Sequence, residues 1–175
     1  MTDKILVTYA TRYGSTREVA EVLALTLHEY GLAVDMLPAW KVRTLEGYSA
    51  VVLGAPLFMF RLHKDALRFL SRYREALAER SVAIFTLGPT HDPYDEKEWR
   101  DSRAQLDKEL AKFPWLRPVA LEMFGGKFDP TKLRFPINLV AGQVPATDIR
   151  DWDAIRDWAN HLAQILQPSP IIVPG

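Results

Sequence analysis

Short apolar runs alternate with stretches of helical periodicity through most of the chain, and that alternation predicts a parallel sheet covered by helices on both faces. The runs Lys4–Tyr9, Ala33–Leu37, Ala50–Gly54, Ser81–Leu87 and Pro118–Phe124 read as strands. Between the first two, Val19, Val22, Leu23, Thr26, Leu27 and Tyr30 fall on one helical face, and Gly31 supplies the stop. After the third strand Leu62, Ala66, Phe69, Leu70, Tyr73 and Leu77 repeat at the same period. A more polar helix runs from about Glu96 to Lys112, and the last, Trp152 to Leu166, offers Trp152, Ile155, Ala159 and Leu162 to the core. The expectation is one doubly wound α/β domain over residues 1–166, with five strands and five helices. An inserted loop occupies 125–148, and the proline-rich tail 167–175 reads as extended and without chemistry.

Composition narrows the functions this framework can serve. A chain of 175 residues with 48% apolar content buries one substantial core. Its 22 basic and 22 acidic residues balance, and no basic stretch carries interleaved aromatics, so nucleic acid is not expected as a partner. The absence of cysteine excludes disulfides, thiolate catalysis, iron–sulfur ligation and a Cys-based zinc site. No metal is expected, and redox chemistry here needs a bound cofactor. The N-terminal stretch lacks the flank, apolar core and cleavage site of a secretory leader. The longest charge-free stretches, Ser49–Phe60 and Phe135–Thr147, are too short to span a bilayer. A cytoplasmic location is expected, with contact at the inner membrane face left open.

In open sheets of this kind, ligands bind beyond the carboxyl ends of the strands, where the strand order reverses. Three segments leave those ends. The first, Thr11-Arg12-Tyr13-Gly14-Ser15-Thr16, would offer a phosphate free backbone N–H groups, the hydroxyls of Thr11, Ser15 and Thr16, and the positive end of a helix beginning near Ser15. The helix end contributes up to about 2 kcal/mol. The plainer alternative is that Ser15 or Thr16 is an N-cap. The second, Ala55-Pro56-Leu57-Phe58-Met59-Phe60-Arg61, is apolar where a solvent-facing loop should be polar. The third follows Leu87 and reads Gly88-Pro89-Thr90-His91-Asp92-Pro93-Tyr94. The last two make candidate walls of a slot for a flat ring, with Phe58, Met59, Phe60 and Tyr94 able to stack; ordinary core closure is the alternative. A dinucleotide fingerprint needs three spaced glycines where only Gly14 is present, and the Gly-Lys-Ser/Thr of a P-loop is missing.

The first segment resembles the FMN phosphate loop of flavodoxins, a hydroxyl residue, any residue, usually Thr, Gly, any residue, Thr; Tyr13 stands where Thr is usual. The resemblance covers nearly the whole chain and implies the flavodoxin-like strand order 2-1-3-4-5 with FMN at the switch point. It implies cofactor contacts from Thr11, Arg12, Tyr13, Gly14, Ser15 and Thr16, from Pro56, Leu57, Phe58, Met59, Phe60 and Arg61, and from Leu87, Gly88, Pro89, Thr90, Asp92 and Tyr94. Within that superfamily the chain is similar to the menaquinone-dependent protoporphyrinogen oxidase group. The similarity lies in Gly54-Ala55 leading into a basic helix with His63, in Trp115-Leu116-Arg117-Pro118, in Phe124-Gly125-Gly126 and in Asp151-Trp152. Gly125–Asp148 is shorter than the basic insertion of those oxidases and carries Lys127, Lys132 and Arg134 ahead of the apolar patch Phe135–Val140.

The implied function is an FMN-dependent oxidoreductase passing electrons from a planar organic donor to a quinone-type acceptor. A flavodoxin-like one-electron carrier and an interaction protein that has lost FMN stand as alternatives. Arg61 and Asp92 are the charges best placed to shift a ring potential. His63 is a candidate proton donor, and no catalytic residue is assigned. Arg61, Lys64, Arg68 and Arg72 form a basic stripe for an acidic protein, a carboxylate-bearing substrate or an anionic membrane surface. The Phe135–Val140 patch is a candidate lid, homodimer contact or shallow membrane foot.

Overall fold

The computed structural model describes residues 3–59, 61–135, 139 and 144–167. Phe60, most of the Phe135–Val140 patch and the tail beyond 167 lie outside the described residues.

The first strand, β1 (Lys4–Tyr9), is buried along all but its first residue, as a run of apolar side chains on both faces requires of a central parallel strand. It pairs in parallel with β2 (Ala33–Pro38) on one side and β3 (Tyr48–Phe58) on the other. Beyond β3 lie β5 (Ser81–Leu87) and β6 (Ala120–Phe124), also parallel. The order is therefore β2-β1-β3-β5-β6, with the two-residue β4 (Arg61–Leu62) folded back antiparallel on the end of β3. Setting that short strand aside, the five parallel strands run 2-1-3-4-5, the flavodoxin-like doubly wound order expected, with the reversal between β1 and β3. Pro118, which has no N–H for the ladder, lies ahead of β6, which opens at Ala120.

Two cores flank the sheet. On one face α1 (Ser15–Glu29) and α5 (Trp152–Ile165) cover Ile5, Val7, Val52, Ala83 and Phe85. On the other, α2 (Lys64–Arg72), α3 (Arg74–Ala78) and α4 (Glu96–Leu110) cover Leu6, Val51, Leu53, Val82 and Ile84. The helix expected over Leu62–Leu77 is two helices. Tyr73 leaves helical geometry between them (φ −104°, ψ 22°), and its hydroxyl donates to the Val42 carbonyl at 2.7 Å. Tyr30, expected on the buried face of α1, is exposed and donates to Asn160 Oδ1 at 3.2 Å, because its phenol needs a polar partner. Trp152 is only half-buried; Trp158 and Ala163 fill the core of α5 instead.

The segment 55–61 is a correction to the sequence reading. Its first four residues, Ala55–Phe58, continue β3, and the chain turns at Met59 (φ 48°) to pair Phe58 with Arg61 and Leu57 with Leu62. An apolar loop that overshoots the sheet meets its backbone hydrogen bonds by forming a hairpin. The 125–148 excursion likewise has a built base: β7 (Lys127–Phe128) and β8 (Thr147–Asp148) pair antiparallel, and a 3-10 turn occupies Pro130–Lys132. Among the described residues no helix is long and apolar enough to cross a membrane.

Candidate functional site

A cleft of about 350 Å³ opens at the carboxyl ends of β1, β3 and β5, at the switch point. Of the first segment it takes Arg12, Tyr13 and Ser15; of the second Pro56, Leu57, Phe58 and Met59; of the third Leu87, Gly88 and Thr90. Thr11, Gly14, Thr16, Arg61, Pro89, Asp92 and Tyr94 do not line it. Asp92 and Tyr94 border a separate hollow, where Tyr94 stacks on Trp99 with ring centroids 5.9 Å apart. Arg61 projects from β4 into solvent. The guanidinium of Arg12 lies 4.5 Å from the centre of the Phe58 ring, tying the first segment to the second.

The helix end beside this cleft is built without a side-chain cap. Gly14 occupies the N-cap position at φ 94°, a conformation that costs a glycine little, and nothing lies within 4 Å of where a Cβ would stand. The plainer alternative, in which Ser15 or Thr16 caps α1, is thereby set aside. Thr11 Oγ1 accepts from Gly14 N at 2.9 Å, which closes the loop on itself. Thr16 is fully buried, and its hydroxyl has no hydrogen-bond partner. A buried orphan hydroxyl beside uncapped helical N–H groups fits an anionic group that accepts from them all.

Arg150 fixes the far side of the loop. Its side chain, 3% exposed, donates to Asp148 at 2.8 and 2.7 Å, to Glu18 at 2.8 Å and to the Ser15 carbonyl at 3.2 Å. These contacts hold the guanidinium charged more firmly than usual, the Asp148 hydrogen bonds outweighing burial, and hold the Asp148 carboxyl below the usual range.

The walls of the cleft are held by α4, the helix whose polarity gave the least information in sequence. Glu98 accepts from Thr90 N at 3.0 Å and His91 N at 3.2 Å, and itself lines the cleft with Ser102. Glu109, 3% exposed, accepts from Leu62 N at 3.1 Å and from Lys112 Nζ at 2.7 Å. Eleven residues is close to three helical turns, so both carboxylates share one face and each grips the backbone of one wall. The sequence held a hint: Asp95 and Glu98 have capping-box spacing, and Asp95 does cap α4 through Lys97 N and Glu98 N. The Glu98 side chain instead serves the neighbouring loop. Gly126, Lys127, Phe128, Asp129 and Leu133 from the excursion also line the cleft, and none of them was expected among the cofactor contacts.

His63 does not line the cleft. It caps α2, its Nδ1 accepting from Asp65 N at 3.1 Å. Burial lowers its pKa below the usual value of 6.5; Asp65 opposes this while Arg12 and Lys64 assist it. The folded state therefore binds the proton less well than the unfolded chain, and the cap, worth about 1 kcal/mol, is complete above pH ~6.5 and lost as pH falls through the lowered pKa. Urea midpoints should drop between pH 7 and 5 more steeply for the wild type than for His63→Asn, which keeps an acceptor that does not titrate. Parallel pH curves for the two proteins would refute the capping role.

Residues 6–137 match the model of a family described as the flavodoxin domain. The chain belongs to that family. A curated relative of this flavodoxin-domain chain, the protoporphyrinogen IX dehydrogenase (quinone) of Escherichia coli K12, is 24% identical over 186 aligned positions, covering 93% of this chain and 96% of that protein. The solved structure of oxidised flavodoxin 1 from Bacillus cereus superposes with a TM-score of 0.58 at 16% identity, covering 94% of this chain and 99% of that one. An archaeal flavodoxin gives 0.53 at 14% identity, covering 93% and 98%. At these identities the solved structures show the fold.

Proposed function

We propose that this flavodoxin-domain chain is an FMN-dependent oxidoreductase that takes electrons from a planar organic donor of the porphyrinogen kind and passes them to a quinone-type acceptor. One observation carries the cofactor: the uncapped N-terminus of α1 with its orphan Thr16 hydroxyl opens beside a cleft walled by Pro56–Met59 and by Leu87, Gly88 and Thr90. The end-to-end likeness to a quinone-linked protoporphyrinogen IX dehydrogenase supports the reaction class.

FMN, when bound, supplies reversible two-electron chemistry at its ring, and the protein supplies position, burial and field. Thr16 and the first-turn N–H groups of α1 would hold the phosphate. Phe58, Met59 and Leu87 would cover the ring against water, while Glu98 and Glu109 keep the two walls in place. Arg61 on β4 and Lys64, Arg68 and Arg72 on α2 are all exposed, and among the described residues only Arg68 of these has an acidic partner, Asp65 at a loose 3.9 Å. That surface suits a donor bearing carboxylates.

The test is a visible absorption titration of the apo-protein with FMN, then photoreduction of the complex without oxygen. Binding followed by full reduction in a single stage, with porphyrinogen oxidised when menaquinone is supplied, is the expected result. Failure to bind FMN would end the redox reading, and reduction that stops after one electron would replace the enzyme by an electron carrier.

A further inference from the structure

Lys132 reaches from the excursion to the first segment, 119 positions away along the chain, and its Nζ donates to the Tyr13 carbonyl at 3.2 Å. This places an ammonium on the backbone of the very loop that precedes the bare N-terminus of α1. The lysine is held from both sides. Before it, Asp129 caps the 3-10 turn by accepting from Thr131 N at 3.0 Å and Thr131 Oγ1 at 2.6 Å. After it, Leu133 is buried against the cleft.

Three arginines near the loop are already engaged, and Lys127, which lines the cleft, lies in the field of Asp129 and Asp148. Arg150 faces Asp148 and Glu18, Arg17 pairs with Glu21 at 3.0 Å, and Arg12 lies on the Phe58 ring. Lys132 donates to a neutral carbonyl and makes no ion pair with an acid among the described residues. Asp129 lies near enough to feel it, but that carboxyl is held below its usual range first by Thr131. An ammonium carries three donors, and the Tyr13 carbonyl takes one. Tyr13, meanwhile, presents a ring to the cleft where a shorter hydroxyl residue could have met a phosphate.

We infer that Lys132 is a phosphate-binding residue, delivered by the excursion to the Thr11–Thr16 loop, and that it supplies the charged donor which Tyr13 does not. The inference rests on the FMN reading and deepens it: the excursion is part of the cofactor site, and the ligand it recognises there is a phosphate monoester rather than the ring. The contact ties the excursion to the loop, so one side chain links cofactor binding to the position of the excursion.

The experiment is a fluorescence titration of the wild type, Lys132→Met and Lys132→Glu with FMN and with riboflavin, which lacks the phosphate. Loss of one charge-assisted hydrogen bond should weaken FMN binding by about tenfold to a hundredfold in Lys132→Met, with riboflavin changed by less than about twofold. Lys132→Glu should weaken FMN further and reverse the salt dependence of binding. Adding Tyr13→Thr to Lys132→Met should restore part of the FMN affinity and none of the riboflavin affinity. A wild type that prefers FMN over riboflavin, with that preference unchanged in Lys132→Met, overturns this inference alone. A wild type that binds no FMN overturns it together with the proposed function.

Discussion

Gly54→Ala should destabilise the protein by about 3 kcal/mol, near the upper end of what overpacking a core costs. A Cβ at Gly54 would stand 2.0 to 2.7 Å from three atoms of the Phe85 ring, far inside contact distance. The two residues face each other in the β3–β5 ladder, so neither backbone can retreat without breaking the centre of the sheet. The ring is also pinned from behind, with centroids of Phe124 at 6.4 Å and Trp158 at 6.0 Å. Relief must come from shortening Phe85. Phe85→Leu alone should destabilise through the cavity it leaves, and the double variant should be more stable than the sum of the two single losses predicts. Urea denaturation of all four proteins reads this directly. A Gly54→Ala protein within about 0.5 kcal/mol of the wild type, the usual range for an unconstrained surface site, would show that the Phe85 ring does not occupy this space. Because Gly54 sits immediately before the Ala55–Phe58 extension, the same variant should also displace one wall of the cleft.

The parts of this architecture that were legible in the sequence are those in which one segment states its own case. Apolar runs flanked by turns marked all five parallel strands, three of them to within a residue, while the third runs on from Gly54 to Phe58 and the last begins at Ala120 rather than Pro118; Gly31, at φ 82°, ended α1 as its position suggested. The hexapeptide Thr11–Thr16 stood out because its hydroxyls and glycine cluster within one turn of chain. What stayed hidden depends on distant partners. Nothing near Glu109 says that its carboxylate will be buried against Leu62 N, 47 positions away. A polar helix such as α4 reads as solvated, although its inner face carries the two carboxylates that fix the cleft walls. The 55–61 segment was apolar for a reason its composition could not reveal: it is a strand that overshoots the sheet and folds back on itself. The excursion showed only a charge pattern, and its role at the cleft depends on Leu133 and Lys132 meeting a loop near the other end of the chain.

Thr16 separates a structural from a functional reading of that loop, because the two predict opposite signs. Its hydroxyl is buried without a partner, a condition that costs a folded protein about 1 to 3 kcal/mol. Thr16→Val keeps the branched shape at the same helical position and replaces the orphan hydroxyl by a methyl group, so the apo-protein should become more stable by about 1 kcal/mol. If the hydroxyl waits for a phosphate, the same change should weaken FMN binding by about tenfold while leaving riboflavin binding nearly untouched. A gain in stability coupled to a loss of affinity is the signature of a group held unsatisfied for a ligand. Measured urea midpoints without ligand, set beside FMN and riboflavin titrations, decide the matter. A loss of stability with unchanged FMN affinity would make Thr16 a packing residue and move the phosphate away from α1.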